Sequence, residues 1–164
     1  MSDRVDDLDK VVADCMSRAD VLTPWTLSVA SNLAEFLAIC RFDFDEAREW
    51  HQRAAPYYRQ LSGTFGLIYS HCMVGIAAHE QLDIIEAERN FRIALDVATT
   101  ASGRLSYPAR LASAMLGDLL YERDQLSEAE RLLNEVYDAR HRRRFRGVDD
   151  GHLCDRCPDH GVTW

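Results

Sequence analysis

The chain has 164 residues, 47% of them apolar and 28% charged, with a formal net charge of −8 at pH 7. That size suits one domain, that composition excludes wholesale disorder, and no apolar run reaches the roughly 20 residues that span a membrane. The acidic balance works against nucleic-acid phosphates, and Lys10, the sole lysine, lies in no glycine-rich loop, which excludes a Walker-type nucleotide loop.

In chain order, residues 1–10 are acidic and lack the cationic and apolar regions of a signal peptide, so a cytoplasmic location is expected. A first helix over 3–20 places Val5, Leu8, Val12 and Cys15 on one face. Thr23 and Pro24 supply an N-cap and a proline at the first helical position, opening a helix over 24–40. Asp43 with Glu46, and Asp83 with Glu86, open helices over 44–60 and 84–101 as N-cap residues with an acid three positions on. Ser62-Gly63 and Ser102-Gly103 read as helix stops, leaving helices over 64–80 and 106–123. A last helix spans 126–139. No strand pattern competes with this reading.

Self-similarity organises these elements. Ala47, Ala87 and Ala129 recur at a nearly constant interval, within Phe44-Asp45-Glu46-Ala47, Ile84-Ile85-Glu86-Ala87 and Leu126-Ser127-Glu128-Ala129. Gly75 and Gly117 keep the same interval, and Ala54, Ala94 and Val136 occupy matching places. The physical reading is a stack of antiparallel helix pairs. A small residue midway along the first helix (A) lets the second (B) approach, and a large one on B, Phe91 or Leu133, fills the space between turns. The expected fold is therefore all-α, a right-handed superhelix of helix pairs over 24–60, 64–101 and 106–139. The orphan helix 3–20 stands for the second half of an earlier pair.

The marker positions resemble tetratricopeptide repeats, with a period near 40 in place of 34. Phe42-Asp43-Phe44-Asp45-Glu46-Ala47, Phe65-Gly66-Leu67-Ile68-Tyr69, Leu119-Leu120-Tyr121-Glu122-Arg123 and Ala129-Glu130-Arg131-Leu132-Leu133 resemble the repeat region of MalT-type, LuxR-family ATP-dependent transcriptional regulators. The likeness covers about residues 20–139. It departs from the pattern at Glu35, which stands where helix A wants a small residue, leaving that role to Ala34. The resemblance implies a non-catalytic sensor or protein-interaction segment without the regulator's ATPase and helix-turn-helix parts, and hence without direct DNA binding. If helix A lines the concave face, as in related repeats, the residues facing a protein partner or small inducer are Asn32, Phe36, Tyr69, His79, Asp118 and Tyr121. A solenoid cut at both ends is also expected to self-associate.

Enzymatic chemistry is not advertised. No Gly-x-Ser-x-Gly or His-Glu-x-x-His occurs. His71 and Cys72, as neighbours on a helix, point about 100° apart and form no thiolate–imidazole pair. Cys15, Cys40 and Cys72 read as small core residues, and the odd total of five cysteines argues against a disulfide framework. No cofactor and no catalytic residue is expected.

Residues 140–164 differ from the rest, carrying a net charge of +2 against −10 for residues 1–139. Arg140, Arg142, Arg143, Arg144 and Arg146 surround Phe145. His152, Cys154, Cys157 and His160 have the ligand types of a zinc site, crowded into one short stretch. One reading is a free-standing adaptor with a metal- or nucleic-acid-binding tail. The other is a disordered or frameshifted tail, because the stretch lacks Ala, Ile, Met, Lys and Ser and has the composition of a GC-rich gene read out of frame.

Overall fold

The computed structural model describes the backbone of residues 2–61, 64–98 and 108–149, and the side chains of 7–61, 64–98 and 108–137. It contains α1 (Ser2–Ser17), α2 (Pro24–Cys40), α3 (Phe44–Tyr58), α4 (Phe65–Glu80), α5 (Ile84–Ala98), α6 (Ala109–Glu122) and α7 (Leu126–Asp149). Among the described residues there is no strand. Each helix packs on the next, and α4 additionally packs on both α2 and α6. The chain is an all-α helical-repeat solenoid, with A helices α2, α4 and α6 and B helices α1, α3, α5 and α7.

Most boundaries follow the local chemistry. Thr23 Oγ1 accepts the Thr26 N–H at 3.2 Å, and Asp43 and Asp83 accept the N–H of Glu46 and Glu86 at 3.0 and 3.1 Å. Helix α6 starts at Ala109, later than the expected 106, behind Pro108, whose missing N–H suits a helix start. Helix α7 runs on to Asp149, past its expected end at 139. Arginine is a good helix former, and neither glycine nor proline interrupts the chain before Gly147. The stretch 140–149 is thus helical where disorder was one expectation. The expected helix stops at Ser62-Gly63 and Ser102-Gly103 lie outside the described residues.

The turn joining each A helix to its B helix is the same structure three times. The Asp43 N–H bonds to the Ala38 carbonyl and the Phe42 N–H to that of Ile39, both at 2.9 Å. The same pattern links Asp83 and Leu82 to Ala78 and His79, and Gln125 and Asp124 to Leu120 and Tyr121. This doubly bonded ending requires a left-handed residue at its centre. Here those residues are Phe42, Leu82 and Asp124, with φ near +60°. A left-handed backbone costs a non-glycine residue about 1–2 kcal/mol. Leu82 is 82% exposed and gains little packing in return. Leu82→Gly is therefore expected to raise stability by about 0.5–1 kcal/mol after glycine's larger unfolded-state entropy is deducted. A urea midpoint that falls would contradict the strain argument.

The residue before each left-handed position reaches back to the preceding B helix. Arg41 pairs with Asp9 at 2.7 Å, Gln81 accepts from Arg48, and Arg123 pairs with Glu88. Partly exposed pairs of this kind add little stability, but their recurrence keeps successive helix pairs in one register.

The core runs between the two layers. Phe91, Leu116, Leu119, Leu120 and Leu132 form one cluster of it with Ala78, Ala87 and Ala129. Ile68, Cys72, Ala94, Ala98, Ala109 and Ala112 form another cluster, and Val12 of α1 packs on Ala34 and Leu37 of α2. The repeating alanines Ala47, Ala87 and Ala129 are all buried, as close helix approach demands. Cys40 departs from the expected core role. It ends α2 beside the exposed turn and is itself exposed, whereas Cys72 is buried, with burial pushing its thiol up to about 12.

Candidate functional site

Two sets of side chains stand out, one exposed along the A helices and one buried beneath them. All six residues expected to face a partner lie on A helices, but they are not equally available. Asn32 is committed to packing: it accepts the Tyr58 hydroxyl at 2.6 Å and donates to the Gly66 carbonyl at 3.2 Å, tying α2 to α3 and α4. His79 bonds Glu122 of α6 at 2.9 Å. Tyr69 is half-buried with its ring 4.8 Å from that of Phe65. Asp118 is exposed, Phe36 is 49% exposed and Tyr121 is 65% exposed.

The structure adds three exposed residues to this set: Trp25 and Val29 on α2, and Phe65 on α4. Trp25, Val29 and Phe36 follow helical spacing along one side of α2. The signal was present in the repeat register, because Val29 stands one repeat before Tyr69, and Trp25 one repeat before Phe65. Several large apolar groups in water along adjoining helices are the usual mark of an interaction surface.

The buried set is polar, and sequence reasoning passed over most of it. Glu35 is fully buried. The Ser70 hydroxyl lies 2.6 Å from Glu35 Oε1 and 2.7 Å from His51 Nδ1, within hydrogen-bond distance of both. The His51 ring is 4.9 Å from that of His71, whose Nδ1 lies 3.0 Å from Asn90 Oδ1. Because the Asn90 amide nitrogen donates to the Glu86 backbone and carboxylate oxygens, its carbonyl faces His71 and fixes Nδ1 as that ring's protonated nitrogen. Glu86 in turn binds Arg89, which holds its carboxyl below the usual range. A polar line thus crosses α2, α3, α4 and α5.

Burial dominates its electrostatics. Desolvation pushes the Glu35 carboxyl up to about 8, only partly opposed by the Ser70 and Tyr58 hydroxyls, and pushes His51 down to about 4, assisted by the neighbouring His71. Near pH 7 both groups are neutral. The Tyr58 hydroxyl nearby is also raised, first by burial and then by Glu35.

Serine, histidine and glutamate are the residue types of a nucleophilic triad, but the connectivity is wrong for one. Here the acid contacts the serine, and Ser70 is fully buried with no route for a substrate. The arrangement suits proton relocation within the core. Among the described residues no group of three or more His, Cys, Asp or Glu side chains could hold a metal. The sequence-identified His152, Cys154, Cys157 and His160 lie outside those residues.

Comparison with known proteins agrees with the repeat reading. A family model described as a tetratricopeptide repeat matches residues 26–66. That window covers most of α2, all of α3 and the start of α4. Curated relatives named serine/threonine-protein kinase PknK, from two strains of Mycobacterium tuberculosis and from Mycobacterium bovis, are 45% identical over 136 residues. The alignment takes in 83% of this chain and 12% of each relative, so the chain spans about an eighth of their length. No solved structure matches the chain. A tetratricopeptide repeat, set within an all-α solenoid and related to a short stretch of a much longer kinase, is what fold and comparison establish together, and such repeats generally mediate protein–protein interaction.

Proposed function

We propose that the array is a non-catalytic sensor and protein-interaction segment of a larger signalling protein, with the A-helix layer as its concave binding face. The observation that carries this is the run of exposed aromatic residues, Trp25, Phe36, Phe65 and Tyr121, on helices that adjoin one another. The packing supports the curvature: α4 meets α2 and α6, while among the described residues α3 does not meet α5, nor α5 meet α7. A two-layer array whose A helices are closer together than its B helices curves with the A layer inside.

The relatives' name supports a signalling context, and in the proposed reading the segment has the place of the sensor in a LuxR-family transcriptional regulator. The reading places it in the cytoplasm, where thiols such as Cys15, Cys40 and Cys72 stay reduced. No described helix is long and apolar enough to cross a membrane. The favoured occupant is a peptide segment of a partner protein, with a small inducer as the alternative. Exposed Leu8 and Val11 on α1 and Tyr137 on α7 support association through the array ends.

A displayed peptide library selected against the full chain tests the face. Enriched peptides should lose at least tenfold in affinity, about 1.4 kcal/mol, to Phe36→Asp or Phe65→Asp. Leu82→Asp, on a turn away from the face, should leave their binding unchanged. Peptides that bind all three variants alike, or no enrichment at all, would overturn the assignment.

A further inference from the structure

Three helix pairs solve the same packing problem, and one does it differently. In the α4–α5 pair, a Cβ placed on Gly75 would sit 2.6 Å from Cδ1 of the Phe91 ring. In the α6–α7 pair, a Cβ on Gly117 would sit 2.8 Å from Leu133 Cγ. The corresponding positions of the α2–α3 pair hold Glu35 and His51, one repeat before Gly75 and Phe91 respectively. Between them comes Ser70 of the following pair, at a position that Ala30 and Ala112 occupy in the other A helices. Three sites that are apolar or small elsewhere in the array are polar here, and all three are in hydrogen-bond sequence.

We propose that the Glu35–Ser70–His51 chain is a proton-operated joint between the first two helix pairs, closed while the carboxyl holds its proton and loosened when it ionises. The Ser70 hydroxyl has one proton. With Glu35 protonated, the acid donates to Ser70 Oγ and Ser70 donates to His51 Nδ1. With Glu35 ionised, Ser70 must turn to the carboxylate, and His51 must carry its proton on Nδ1 to keep the second bond. Both arrangements fit the same heavy-atom distances, but they are not equal in energy. Glu35 Oε2 has no hydrogen-bond partner, so an ionised carboxylate is buried with only the Ser70 and Tyr58 hydroxyls to favour its charge, and burial outweighs both.

Its surroundings supply no compensating charge. From α3 come His51 and Tyr58, and the Tyr58 hydroxyl is already spent on Asn32. From α4 come Ser70 and, beyond His51, His71. From α5 come Glu86 and Arg89, which bind each other at 2.6 Å on the far side of His71 and Asn90. The α1 residues facing this part of α2 are the apolar Val12 and Met16, and the nearby Asp9 is held by Arg41. Burial raising the carboxyl to about 8 and lowering the imidazole to about 4 puts the transition of the joint just above neutrality. Phe36 and Tyr69 directly follow Glu35 and precede Ser70, so loosening alters the spacing of the A-helix face. The joint itself does not depend on that face binding anything.

Hydrogen exchange of the full chain at pH 6 and pH 8.5, corrected for intrinsic amide rates, tests the proposal. Exchange in α2, α3 and α4 should rise roughly thirtyfold, the effect of ionising one group across about 1.5 pH units, while α6 and α7 change less than threefold. Glu35→Gln should abolish the rise. The Glu35→Gly and His51→Phe double variant installs the α4–α5 solution in the first pair and should do the same. A rise shared equally by α6 and α7, or one that survives in either variant, would overturn the joint.

Discussion

Phe91→Ala is expected to lower the unfolding free energy by about 3–5 kcal/mol, the cost of emptying a well-packed aromatic site. Phe91 is 2% exposed and lies among Ala78, Ala87, Leu116, Leu119, Leu120, Ala129 and Leu132, where its ring covers the backbone at Gly75. Gly75 gives this prediction a sharper companion. In the natural sequence Gly75→Ala drives a methyl into the ring and should destabilise by about 1–3 kcal/mol, although alanine is intrinsically the better helix former by about 1 kcal/mol. Once Phe91 is alanine the clash is gone, and Gly75→Ala should stabilise by about 1 kcal/mol. Urea midpoints of the four variants at constant m-value measure the change of sign. Gly75→Ala destabilising in both backgrounds would mean that the glycine serves something other than the ring.

The same pair shows what the sequence made legible. The nearly constant interval between the alanines, and between the matching glycines, was enough to group the helices in pairs and to place the small-against-large contact, because packing of repeated pairs imposes repeated residue types. The turns were less readable. A left-handed residue normally announces itself as glycine, and here Phe42, Leu82 and Asp124 occupy that position. Glu35 was visible as a departure from the pattern, yet its meaning was not, because its partners come from α3 and α4, well beyond its own helix. His51 shows the same blindness: it sits in the register position of Phe91 and Leu133, so a repeat alignment carried through to that column would have paired it with Glu35. Ser70 has no such marker. Side chains that bond across neighbouring repeats become evident only when the repeats are stacked.

That buried pair sets an unusual dependence of stability on pH. Between 4.5 and 8 the folded Glu35 keeps a proton that the unfolded chain has lost, so stability falls with rising pH by about 1.4 kcal/mol per unit. Between 4 and 6.5 the folded His51 lacks a proton that the unfolded chain holds, so stability rises with the same slope. The two cancel from 4.5 to 6.5, and from 6.5 to 8 Glu35 acts alone, removing about 2 kcal/mol. Glu86 and Glu128, held low by Arg89 and Arg92, change stability only at or below the ordinary carboxylate range, and Cys72 only above 9. None of the three acts between 6.5 and 8. Glu35→Gln should therefore gain about 3 kcal/mol from pH 4 to 6.5 and then stay level, while the natural protein levels off from 4.5 and declines above 6.5. His51→Phe should decline continuously from 4.5 to 8. Chemical unfolding across this range separates the curves, and a natural protein as stable at pH 8 as at 6.5 would remove Glu35 from the account.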